Sequence, residues 1–277
     1  MAITRIHHLN CGTMCPAAAP LINGPGRSFR ERGTMVCHCL LIETTSSGLI
    51  LVDTGFGTDD CTHPQRFHRA FRVVASPRFD VAETALSQIT ELGYAAADVR
   101  HLVVTHLDLD HAGGLGDFPH ADVHLHAVEK RAALTAPTLA ERGRYIQAQW
   151  SHGPSWRTYE DAGDDWFGFE AVRQLDGVAE QLALIPLFGH TRGHCGVAVQ
   201  HEDGWLLHAG DAYFHHDELI AANRCPPGLR LFQELVQMNR RKRIANANRL
   251  RELSRHHAGD VTIFSAHDPA ELHQFTQ

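Results

Sequence analysis

Short apolar runs that break off at a histidine or an aspartate recur along this chain. Residues 101–105 (His-Leu-Val-Val-Thr) have the length and β-branched content of a buried strand, and they lead into His106-Leu107-Asp108-Leu109-Asp110-His111-Ala112-Gly113-Gly114. A second run, 182–187, leads to Gly189-His190 and then His194; a third, starting at Trp205, reaches Asp211; a fourth, starting at Val261, reaches His267-Asp268. Further strands are predicted at 37–43, 49–53 and 121–126. The spacing of Val81, Ala85, Ile89 and Leu92 predicts a helix over 81–92, with Asp80 as cap, Glu83 completing a capping box and Gly93 closing the end. A short helix is expected at 127–134, and a helical stretch from Leu229 to His257. Between Thr135 and Asp176 the periodicity fades and Tyr145, Trp150, Trp156, Tyr159, Trp166, Phe167 and Phe169 crowd in, which reads as an aromatic-rich insertion.

Composition narrows the setting. With 277 residues and 43% hydrophobic content the chain can bury a large core, and the polar strand ends are spread over nearly all of it, so residues 1–277 are read as one domain of two packed halves. A net charge of −7 argues against nucleic acid as a partner. The cluster Arg240-Arg241-Lys242-Arg243 is read as the solvated face of a helix. No apolar run is long enough to span a membrane and no leader-like segment opens the chain, so a cytoplasmic protein is expected. The seven cysteines are odd in number and irregularly spaced, as reduced thiols would be; Cys37 and Cys39 fall within a predicted strand.

Two imidazoles and two carboxylates within six residues make His106 to His111 a candidate metal site, because side chains at a strand end can converge on one point while Gly113-Gly114 lets the backbone turn away. The later strand ends add His190, Asp211 and His267. Imidazole and carboxylate donors suit zinc, iron or manganese, and a bridging carboxylate can hold two ions together.

These motifs, in this order, resemble the metallo-β-lactamase superfamily, with its His-x-His-x-Asp-His, Gly-His-Thr-x-Gly-His, Gly-Asp and late His segments and an early Val52-Asp53-Thr54-Gly55 turn. Within the superfamily the chain is similar to acyl-homoserine lactonases and glyoxalase II-like members. The resemblance implies an α+β four-layer αββα sandwich and two divalent ions, zinc foremost. His106, Asp108 and His190 would hold the first ion, Asp110, His111 and His267 the second, and Asp211 would bridge them. It also implies a metal-dependent hydrolase in which a metal-bound hydroxide attacks a small ester-like substrate, a lactone or a thioester. Asp110 would orient the nucleophile, Tyr213 would donate a hydrogen bond to the substrate, Asp53 would steady the ligand loops, and His194 would be structural; His215 and His216 read as loop residues.

The chain departs from the pattern at Asp108, where the family carries its second histidine. A third carboxylate should lower the Lewis acidity of the centre and move the first site's preference toward iron or manganese. The departure brings in a second reading, a di-iron redox enzyme of the flavodiiron or oxygenase type, whose electron source would be a separate protein. A third is a non-catalytic binding protein on the same fold. The 135–176 insertion would supply either an apolar wall for the substrate or an anchor to the body or to a second copy in a homodimer. The loop over residues 11–35 is a candidate rim, with Arg27, Arg30 and Arg32 available to meet a carboxylate.

Overall fold

The apolar runs become two six-stranded sheets in the computed structural model, which describes residues 2–160 and 163–276. The first sheet runs in chain order: β1 (Ile3–Met14), β2 (Met35–Thr44), β3 (Leu49–Val52), β4 (Val99–Val103), β5 (Asp122–His126) and β6 (Ser155–Tyr159). From β3 to β6 the strands are parallel. The second sheet comprises β7 (Asp164–Trp166), β8 (Phe169–Gln174), β9 (Leu182–Pro186), β10 (Cys195–His201), β11 (Gly204–His208) and β12 (Val261–Phe264), with β12 at one edge paired parallel to β11.

Alternation along each strand sorts the side chains into layers. Leu40, Ile42, Ile50, Val52 and Val103 of the first sheet meet Leu182, Leu184, Val197, Val199 and Leu206 of the second in the central core. The other face of the first sheet, through Leu41, Leu51, Leu102 and Val123, packs on Ala85 and Ile89 of the helix Ala85–Glu91 and on Ala132 and Ala133 of the helix Ala127–Thr135. The other face of the second sheet, through Ile185, Ala198 and Leu207, packs on Leu250 and Leu253 of the helix Arg240–His256. Helix, sheet, sheet and helix follow one another as the four-layer sandwich requires. The inner strands β3 (Leu-Ile-Leu-Val) and β9 (Leu-Ala-Leu-Ile-Pro), covered on both faces, are apolar throughout, which is why they read as unbroken runs. Among the described residues no helix is long and apolar enough to cross a membrane.

Three expectations change in detail. The 81–92 helix is two pieces: Asp80 caps a 3₁₀ turn at Val81–Glu83 by accepting from Ala82 N, and Thr84 caps the helix proper by accepting from Ser87 N. Glu83 reaches Thr13 Oγ1 instead of closing a box, and Val81 and Leu92 are exposed. The 229–257 stretch is likewise two helices, Pro227–Val236 and Arg240–His256, because Met238 N and Asn239 N are captured by the carbonyl of Gly189 at 2.9 Å each. In the basic cluster Arg243 is buried, donating to Gln233, Gln237 and Glu234.

The 135–176 segment is not an appended insertion. It contributes the helix Leu139–Arg144, β6 at the edge of one sheet, and β7 and β8 at the edge of the other; residues 161 and 162 lie outside the described residues. Its aromatics fill the body, with Trp150 in one outer core, Tyr159 in the central one, and Trp166 and Phe169 in the other outer core.

One buried acid near the C-terminus has a consequence for stability. Glu271 accepts from Ser265 N, Ser265 Oγ and Tyr213 Oη, and burial together with the nearby Asp268 raises its carboxyl from 4.5 to about 7. An acid with a raised folded pKa contributes stability that is complete below 4.5 and lost as the pH rises through 7. At ~1.4 kcal/mol per unit of displacement, the group accounts for at most about 3 kcal/mol across that window. Urea unfolding of the Glu271→Gln variant at pH 5 and pH 8 is therefore expected to show a smaller loss of stability with rising pH than the parent shows.

Candidate metal centre

The centre is built at the ends of strands that stop along one edge of the sandwich. Asp53 follows β3 with φ of 53°, a left-handed conformation costly for a residue with a Cβ. Its buried carboxylate accepts from Thr105 N at 2.7 Å, Thr105 Oγ1 at 2.8 Å and His111 Nδ1 at 2.8 Å, which fixes both ends of the loop after β4. Burial opposes ionisation of Asp53, but His111 outweighs it and holds the carboxyl down at about 2. Thr105 Oγ1, having donated its proton to Asp53, accepts from His106 Nδ1 at 2.9 Å, and His267 Nδ1 donates to Val36 O at 2.7 Å. Three imidazoles thus spend Nδ1 on the protein and turn Nε2 inward, the tautomer a metal ligand needs.

The donor atoms converge. Those of His106, Asp108, His190 and Asp211 all lie within 4.8 Å of one another, and so do those of His111, Asp211 and His267. Asp211 serves both groups with different oxygens: Oδ2 is 3.3 Å from His190 Nε2 and 3.8 Å from His106 Nε2, while Oδ1 is 3.3 Å from His111 Nε2 and 3.1 Å from His267 Nε2. Asp110 stands on the second group's side, with Oδ2 3.6 Å from His267 Nε2, and Cys37 joins these two in an overlapping trio. The seven residues singled out in the sequence are therefore all brought together. The arrangement suits cations: His106 Nε2 and Asp211 Oδ1 are buried with no hydrogen-bond partner, and the Nε2 atoms of His111 and His267 face each other at 3.3 Å.

Surrounding residues lock the loops. Glu129, wholly buried, accepts from Leu107 N, Tyr145 Oη, Thr191 Oγ1 and Gly193 N, so a single carboxylate ties the loop after β4 to the loop after β9. His194 is structural, its Nε2 accepting from Asp211 N at 2.8 Å and its Nδ1 donating to Leu187 O. A Cβ on Gly210 would come within 2.6 Å of that Nε2, and one on Gly113 within 2.5 Å of Gly55 O. Close approach to neighbouring chain is thus what Gly113 serves, and its φ lies outside the left-handed region.

Arg144 closes the arrangement around Asp108. Its Nε lies 3.3 Å from Asp108 Oδ1, and its terminal nitrogens donate to His190 O at 2.9 Å and Val236 O at 2.5 Å. Burial works against the charge of Asp108, yet Arg144 and His106 overcome it and keep the carboxyl well below its ordinary range. Arg144 and Glu129 have no signature in the amino-acid order: a lone charged residue on a short helix carries no motif. Cys37 was visible, but only as one of two cysteines in a predicted strand.

The cluster forms the floor of a cavity of about 520 Å³. Met14, Ile22, Met35, Leu109, Leu229 and Phe232 are among its walls, so the 11–35 segment does form a rim. Arg27, Arg30 and Arg32 do not line it, and Arg32 Nε is held by Cys15 O. The aromatics of 135–176 are absent from the walls too, being committed to the cores; that stretch lends only Ala140, Gly143 and Arg144. Tyr213, expected to meet substrate, is buried in the outer core of the second sheet with its hydroxyl donating to Glu271 at 2.7 Å. The turn in which Ala212 N bonds Ala209 O carries it away from the cavity. His215 and His216 stack on each other outside the cavity walls, His216 held by Asp268.

The chain is similar to known proteins over most of its length. The chain is 44% identical over 273 residues to a protein described as a probable metallo-hydrolase of Mycobacterium tuberculosis, covering 99% of this chain and 83% of the relative. It is 28% identical over 228 residues to the N-acyl homoserine lactonase AttM of Agrobacterium fabrum, covering 82% and 80% respectively. Among solved structures, an N-acyl homoserine lactone hydrolase with N-hexanoyl-L-homoserine at its catalytic metal centre superposes with a TM-score of 0.73 at 19% identity, over 99% of this chain and 97% of that one. The dizinc lactonase AidC gives 0.62 at 17% identity, over 97% and 90%. The model of the metallo-beta-lactamase superfamily matches residues 32–254, the span that holds six of the seven converging residues. Converging strand ends, the sandwich and that match lead to one conclusion: the chain belongs to the metallo-beta-lactamase superfamily.

Proposed function

We propose that this metal-dependent hydrolase opens the ring of a small lactone that carries an apolar chain. The observation that carries the reading is an apolar cavity floored by two groups of converging donors that share Asp211. One ion would sit among His106, Asp108, His190 and Asp211, the other among His111, Asp110, His267 and Asp211. Imidazole and carboxylate donors suit zinc, iron and manganese, and the dizinc neighbour supports zinc. Two such ions would supply a Lewis acid for the carbonyl oxygen and a water acidified enough to react near neutral pH.

The rest falls to the chain. Asp110 lines the cavity and stays partly open to it, so its carboxylate is placed to take a proton from the attacking water and return it to the leaving oxygen. The apolar walls hold the substrate's chain and keep bulk water from the floor. They also favour a lactone over a thioester whose leaving group bears carboxylates: Arg144 is the one Arg or Lys among the lining residues, and it is engaged with Asp108. The seven free thiols support a reducing, cytoplasmic setting.

Chelation is expected to abolish lactone hydrolysis and re-addition of zinc to restore it, with about two ions per chain by elemental analysis at full activity. An N-octanoyl lactone should be turned over with a kcat/KM about tenfold or more above that of its N-acetyl counterpart, because burying methylenes stabilises the complex. Equal values, or no hydrolysis of either by zinc-loaded protein, would reject the reading. Asp110→Asn should lower kcat about 10²- to 10⁴-fold in a normally folded protein. Tyr213→Phe should leave kcat and KM within about twofold while lowering unfolding stability by about 1 kcal/mol, as measured in urea.

A further inference from the structure

A buried guanidinium and the carboxylate beside it take the place of one neutral ligand at this centre. An imidazole ligand brings no charge, whereas Asp108 brings one negative charge to a site that already holds Asp110 and Asp211. The centre would therefore carry one positive charge fewer than the same frame with histidine at that position, and the ions would be poorer Lewis acids for it. Arg144 supplies the missing charge at the same spot.

The geometry divides the labour between the two oxygens of Asp108. Oδ2 points into the cluster, 2.9 Å from His190 Nε2 and 3.4 Å from His106 Nε2. Oδ1 points out of it, buried and without a hydrogen bond, and meets Arg144 Nε at 3.3 Å. Arg144 cannot easily turn elsewhere, since its side chain is 10% exposed and its other nitrogens are held by the carbonyls of His190 and Val236. Of the carboxylates nearby, Glu129 already accepts four hydrogen bonds and Asp211 faces the histidines, so among the described residues Asp108 is the ion-pair partner Arg144 has. A cation buried at this cost, with one anion to meet, and that anion at the metal floor, is not explained by packing.

We propose that Arg144 is a positioning residue that neutralises Asp108, so that the Asp108–Arg144 pair acts as a single uncharged ligand in which the two charges offset each other. Arg144 presents Oδ2 to the first ion by holding Oδ1, and it draws charge from the carboxylate. The inference rests on reading the cluster as a metal centre.

The test compares the two single variants with their combination on the full chain, read by zinc affinity against a chromophoric chelator and by the visible spectrum of the cobalt-substituted protein, with lactone turnover alongside. Arg144→Met is expected to bind the first zinc about tenfold or more tightly, because an uncompensated carboxylate attracts the ion, and to lower kcat by a similar factor. Asp108→His alone should weaken that zinc about tenfold or more, since it strands a buried cation beside the ion. Combining the two should bring affinity back to within about threefold of the parent and the cobalt spectrum to that of a site with an added nitrogen ligand. Arg144→Lys, which keeps the charge, should stay near the parent and guards against a fold defect in the methionine variant. An Arg144→Met variant whose zinc affinity is unchanged or weaker, a double variant left as far from the parent as Asp108→His, or an Arg144→Met variant that changes KM alone, would overturn the proposal. A parent protein that takes up no zinc, iron or manganese would instead sink the metal reading itself.

Discussion

The buried carboxylate of Asp53 is the contact on which the centre depends. It stands at the end of one parallel strand and binds both Thr105 and His111, so the loop after the next strand is pinned at its start and its finish. The proton on His111 Nδ1 and, through Thr105, the proton on His106 Nδ1 are thereby directed away from the cluster. A left-handed backbone at Asp53 is tolerated because three strong hydrogen bonds reward it. Remove the carboxylate and the ligands lose their tautomers as well as their places.

How much of this was legible in the amino-acid order follows from which interactions are local. Each metal-competent side chain stands just past an apolar strand, and a strand end is a local event, so His106, Asp108, Asp110, His111, His190, Asp211 and His267 could be found without coordinates. The four layers were legible for a related reason, since inner strands such as β3 and β9, covered on both faces, are apolar at every position. Helix boundaries were not, because they are settled from a distance: Gly189, on a ligand loop, captures the amides of Met238 and Asn239 and interrupts a pattern that would otherwise run on. Tyr213 was misplaced for the same kind of reason, as proximity to Asp211 in the chain says nothing of which way a turn throws the next side chain.

The aromatic-rich stretch teaches a related point. Rings without helical or strand periodicity suggested a wall over the substrate, yet that stretch furnishes edge strands to both sheets and its rings are divided among three cores. The cavity is walled instead by methionine, leucine, isoleucine and phenylalanine from segments at both ends of the chain. Such a wall, assembled from residues more than 200 positions apart in order, such as Met14 and Leu229, has no signature in any window of sequence.

That the floor is shared between the sheets has a bearing on how the molecule survives in a cell. His106, Asp108, Asp110 and His111 leave the first sheet, while His190, Asp211 and His267 leave the second, so ions held there would fasten one half of the sandwich to the other. A ligand that binds only the closed arrangement stabilises it by mass action, in proportion to the logarithm of its free concentration. Metal supply would then govern the lifetime of the folded protein as well as its turnover.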